Sequence, residues 1–129
     1  MNTRLLQTVS MAILGVCGVV GLLAPEVLLS AISMASVTPH WPVQLLASAW
    51  LGLAMLNWST RGFTLGGILG RPVVLANFAH FFVAAMSTVR PSLAGGRPGP
   101  TVVLVVFGLL AGAYGYLLFA RTPGASSAS

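Results

Sequence analysis

The segment Thr101 to Ala120, TVVLVVFGLLAGAYGYLLFA, passes through 20 residues without a charged side chain. At about 1.5 Å rise per residue, a helix of about 20 residues covers the roughly 30 Å of hydrocarbon in a bilayer. No water reaches backbone N–H and C=O groups in that layer, so a run of this kind is confined to a helix that satisfies them internally. The rest of the chain has the same character: 57% of its 129 residues are hydrophobic and 5% are charged, where a soluble domain carries about a quarter charged. So few charges cannot cover a water-facing surface. The expected fold class is all-α, an integral membrane antiparallel four-helix bundle.

Its spans are expected at about 5–24, 42–58, 72–89 and 101–120, within a single domain over 1–122. Arg4 precedes the first of these, LLQTVSMAILGVCGVVGLLA, which could be taken for the charged start and apolar core of a signal peptide. A small-x-small cleavage site does not follow, and the segment is read as a retained helix. Cys17 within it is read as a buried small apolar residue, since one cysteine can build neither a disulfide framework nor a zinc site.

Between the first two spans, PEVLLSAISMASVTPHW is too short and too punctuated to cross. Pro25 suits the first position of a helix, Glu26 complements its positive end, and the apolar residues behind them predict a short interfacial helix. Trp41 and Trp58 bracket the second span at the depth where indole rings favour the headgroup level. The prolines and glycines of RPSLAGGRPGP are expected to stop the third span near Val89. The tail 123–129 is too polar and small to pack and is expected to be disordered.

All six basic residues are arginines, set against the single acid Glu26, for a net charge of +5. They are scattered rather than grouped, so they cannot track successive phosphates, and no nucleic-acid partner is expected. Arg4, Arg61, Arg71 and Arg121 fall on one side of the four spans, and Arg90 and Arg97 on the other. The excess predicts both termini in the cytoplasm.

Helices in lipid associate through small residues and shared polar groups rather than through hydrophobicity. Gly108, Gly112 and Gly115 on the fourth span, Gly15, Gly18 and Gly21 on the first, and Ser48 with Gly52 on the second are candidate packing grooves. They serve either the chain's own helices or, for Gly108 to Gly115, another subunit. Tyr114 and Tyr116 are read as interface anchors.

His80 lies about 12 Å into the third span at about 1.5 Å per residue, with Asn77 three residues before it. An ionisable group at that depth must face the interior and find a partner. Asn57, Asn77 and His80 are therefore candidate ligand-binding or interhelical polar residues. Haem ligation by His40 and His80 would be axially mismatched, and a metalloenzyme would need further ligands; no metal or cofactor is expected. An intramembrane hydrolase would need a nucleophile with a base or paired carboxylates, so no enzymatic activity is expected. The connector STRGFTLGGILGRP lacks the Lys-Ser/Thr of a phosphate loop and is read as a cytoplasmic turn whose Arg61 and Arg71 contact anionic headgroups.

The stretches GLLAPEVLLSAI, ASAWLGLAMLNWSTR and LGGILGRPVVLANFAHFF together resemble a family of small four-helix bacterial membrane proteins of unknown function. The resemblance covers roughly Leu5 to Val89 and is most specific at Asn57-Trp58, Leu65 to Gly67, Arg71-Pro72, Asn77 and His80. It implies a four-span fold in the bacterial inner membrane and supplies no activity, cofactor or catalytic residue. The expected role is an accessory or scaffold subunit that packs against itself or a membrane-protein partner in the lipid bilayer. The alternative is a binder or transporter element with a polar cavity around His80 and Asn77.

Overall fold

The computed structural model describes residues 2–32, 34, 36, 39–62, 70–95 and 98–120, and these form helices and short connections with no strand. The helices are α1 (Thr3–Leu23), α2 (Pro25–Ala31), α3 (Trp41–Thr60), α4 (Gly70–Leu93) and α5 (Pro98–Phe119). Three of them, α1, α4 and α5, are long and apolar enough to cross a membrane. With 20 residues α3 matches them in length, but Gln44, Asn57 and three tryptophans dilute its hydropathy, and it does not join that set. The tail 123–129, Arg97, Arg121 and the glycine turn around Gly66-Gly67 lie outside the described residues.

Local chemistry sets most of the helix ends. The Asn2 side chain accepts from the Leu5 backbone N–H at α1's start, filling one of the donors a first turn leaves open. Pro25, which cannot continue α1, begins α2 with Glu26 in its first turn.

The third long helix departs from expectation. It does not stop at Val89 but runs through Pro91 to Leu93: Pro91 forgoes its own bond to the Ser87 carbonyl, and the ladder resumes behind it, with the Ala94 N–H donating to the Arg90 carbonyl at 3.0 Å. The residue that ends it is Gly95, at φ +77°, in the left-handed conformation that commonly follows a helix. The next prolines open α5 instead of merely separating two spans: Pro98 stands at its first position, where a missing N–H costs nothing.

Helix α1 lies antiparallel along α3, with Gly15 opposite Ala54, Gly18 opposite Leu51 and Gly21 opposite Ala47. A Cβ at Gly18 would sit 2.7 Å from Leu51 Cγ and 3.1 Å from the Ala47 carbonyl oxygen. Glycine is what allows the two backbones to approach this closely. Helix α4 pairs with α5 through rings: Phe81 meets Phe107 edge-on at 5.3 Å and stacks on Tyr114 at 6.0 Å. At the other end of α5, Gly99 comes against α2, since a Cβ there would fall 2.7 Å from Ile32 Cα.

The interior joins the two pairs. Leu14, Ala54, Val74, Phe81 and Leu110 form one apolar cluster with their neighbours. The outer surface is apolar as well, with Val16, Met55 and Leu109 all more than 60% exposed, the inverse of what water would select.

Candidate functional site

Polar residues occupy the inside of this fold. The buried residues of α1 are Gln7, Ser10, Leu14, Gly18 and Gly21, a stripe at steps of three and four that follows one face of a helix. Ser10 on α1, Asn57 on α3, Asn77 on α4 and Tyr114 on α5 are each 0% exposed. One residue from each long helix therefore meets at a common node.

The two amides form its centre. Asn57 Nδ2 donates to Asn77 Oδ1 at 2.8 Å, and Asn77 Nδ2 donates back to Asn57 Oδ1 at 3.0 Å. Each amide's second N–H goes to its own helix: Asn57 to the Leu53 carbonyl at 3.0 Å, Asn77 to the Val73 carbonyl at 2.9 Å. All four donors of the pair are engaged within the protein. The Tyr114 hydroxyl donates to Ser10 Oγ at 3.0 Å. It also comes within 3.4 Å of Asn57 Oδ1, and having one proton it makes the shorter of these as its hydrogen bond. One turn away, Gln7 Nε2 donates to Thr60 Oγ1 at 3.1 Å. Gln7 Oε1 is buried with no partner among the described residues.

A buried amide left unpaired costs about 1–3 kcal/mol, and the low dielectric that sets this cost also strengthens a completed network. Shared hydrogen bonds between membrane helices contribute about 0.6 kcal/mol on average and up to ~1.7. The node thus specifies one arrangement of four helices by penalising the alternatives. Its members are all neutral hydroxyl and amide groups, and Glu26 is exposed on α2 at the far end of α1. Donors satisfied in this way are suited to holding helices in register.

The residues singled out by sequence separate into different places. Asn57 and Asn77 are brought together. His80 is not joined to them: it is half-buried, with its ring centroid 5.3 Å from Phe81 and 6.1 Å from Phe107. Its Nε2 is buried without a hydrogen-bond partner among the described residues. Of the α5 glycines, Gly115 meets the Phe78 ring at 3.1 Å from a built Cβ, while Gly108 and Gly112 meet nothing within 4 Å. Those two do not pack the described helices of their own chain. Gly52 is equally open. Arg61 lies over the Trp58 ring at 3.4 Å from its centroid, and Arg71 is exposed in the first turn of α4.

Tyr114 is a correction: it is an interior hydrogen-bonding residue rather than an interface anchor, while Tyr116 is 66% exposed. Ser10 and Gln7 were also missed. For α1 the signal was present, since its polar and small residues share the three-and-four spacing of the glycines. No protein-family model, curated protein or solved structure matches this chain.

Proposed function

We propose that this chain is a four-span protein of the bacterial inner membrane, with both termini in the cytoplasm, and that it acts as a non-enzymatic accessory or scaffold subunit. In this reading α3 is the fourth span: paired along α1 and carrying exposed tryptophans at both ends, it crosses with Asn57 turned inward. The observation that carries the subunit role is the open pair Gly108 and Gly112 on α5. Lipid tails gain little by contact with a bare backbone, whereas a neighbouring helix pressed into such a groove gains close packing. The closed node supports the same reading, because its amides hold one another and leave no donor for a substrate.

Extraction in mild detergent followed by native mass measurement tests the role. An assembly with a partner protein or a second copy is expected; a lone, monodisperse monomer would contradict it. Cysteine labelling at Ser92 and Ser127 should give opposite accessibilities in intact cells, and labelling of Ser127 from outside would overturn the orientation.

A second reading rests on His80. Its Nε2, without a partner among the described residues, supports a small-molecule or lipid binder that uses this imidazole, with Asn57 and Asn77 joining it only if their mutual bonds open. It requires His80→Ala to reduce binding of a ligand; a change confined to thermal stability would leave the subunit role standing.

A further inference from the structure

A groove of about 370 Å³ follows the outer seam of α1 and α3. It exists because Gly15 has no side chain: a Cβ there would meet only Ala54 Cβ, at 3.8 Å. Gly15, Ala12 and Ala54 form its floor, the flexible side chains of Met11 and Met55 its walls, and Trp58 its end. The lining carries no charged or hydrogen-bonding side chain other than the Trp58 indole, and it is too apolar to hold a polar metabolite.

At the Trp58 end the character changes. Arg61 lies over that ring at 3.4 Å, which engages the face of the guanidinium and directs its in-plane N–H donors away from the ring. Those donors have the fork geometry that matches phosphate oxygens. Arg4 belongs to the same end, because Gln7, one turn along α1, bonds to Thr60 beside Arg61. The only acid of the chain, Glu26, follows the other end of α1. An apolar trough that ends at a fixed cation complements one class of amphiphile.

We propose that the α1–α3 groove binds an anionic glycerophospholipid, with one acyl chain lying over Gly15 and Ala54 and the phosphate held by Arg61. This rests on α1 and α3 lying in the bilayer with Arg61 at headgroup depth. A second copy's helix is excluded as the occupant by that polarity: a helix would fill the trough but bring no anion to Arg61.

Native mass spectrometry of the full chain, with added phosphatidylglycerol or phosphatidylcholine, tests the site. The wild type is expected to retain one phosphatidylglycerol and to prefer it over phosphatidylcholine. Arg61→Gln should lower that preference about fivefold, the effect of one basic residue at an anionic surface, and Arg61→Lys should restore most of it. Gly15→Leu, whose Cβ meets only Ala54 Cβ at 3.8 Å and whose longer side chain would occupy the groove, should reduce binding of both lipids and leave the unfolding temperature near wild type. Equal retention of the two lipids by the wild type would overturn the proposal. So would an unchanged preference in Arg61→Gln, displacement of the lipid by glycerol phosphate alone, or a dimer that Gly15→Leu dissociates without any effect on lipid. Release of the protein from membranes by alkaline carbonate would instead show that the membrane reading itself fails.

Discussion

Two helices carry glycines at helical spacing, and the fold treats them in opposite ways. On α1, Gly18 and Gly21 are pressed against α3, with built Cβ atoms 2.7 Å from Leu51 Cγ and 3.0 Å from Ala47 Cβ respectively. On α5, Gly108 and Gly112 face open space. Small-residue spacing thus marks where a helix can approach without saying which helix does. The α1 face at Gly18 and Gly21 is consumed within the chain, whereas on α5 Gly115 alone is covered and Gly108 and Gly112 meet no described side chain.

Substitution by leucine should break this contrast most visibly at Gly18. The added side chain collides with Leu51 and the Ala47 backbone, and overpacking of this kind costs about 1–3 kcal/mol or more. A large drop in unfolding midpoint in detergent is expected. If Gly18→Leu unfolds like the wild type, α1 and α3 are not in close contact.

The next effect lies where the two helix pairs meet. Asn57→Leu leaves Asn77 with an unmet donor and acceptor in a dry interior and should destabilise by about 2 kcal/mol. Replacing both, Asn57→Leu with Asn77→Leu, should cost less than the sum of the single changes, since no orphan remains. Strictly additive costs in that double-mutant cycle would mean the pair is not coupled and the node does not tie α3 to α4. Tyr114→Phe keeps the ring packing and loses only the bond to Ser10, so about 1 kcal/mol is expected. The smallest effect on the stability of the isolated monomer belongs to Gly112→Leu, within about 0.5 kcal/mol as for an open surface site; a larger loss in the monomer would place this face inside the fold.

How far these regions could be read beforehand follows from their surroundings. The α1 face shows in the sequence because polar and small residues punctuate an apolar helix at steps of three and four. Asn57 and Asn77 stand out because an amide is costly in hydrocarbon, and the expectation that they must find partners needs only each other. Tyr114 did not stand out: α5 is apolar on every side, so no periodicity separates its inner row Phe107, Leu110, Ala111 and Tyr114 from its outer row. The same uniformity hid which α5 glycines are covered, since Gly115 packs on Phe78 and its two predecessors do not. Pro91 misled for a different reason. The sequence shows that a proline interrupts a helix but not how little it interrupts within the last turn, where Gly95 decides the end.

The most direct test of an outward α5 face is crosslinking in native membranes. In a Cys17→Ala background, a single cysteine at Gly112 is compared with one at Val83, which is 64% exposed on α4. The subunit account predicts a discrete higher-mass adduct from the Gly112 position and none from Val83. If both positions give only the monomer, the open glycines of α5 face lipid alone and the account is contradicted.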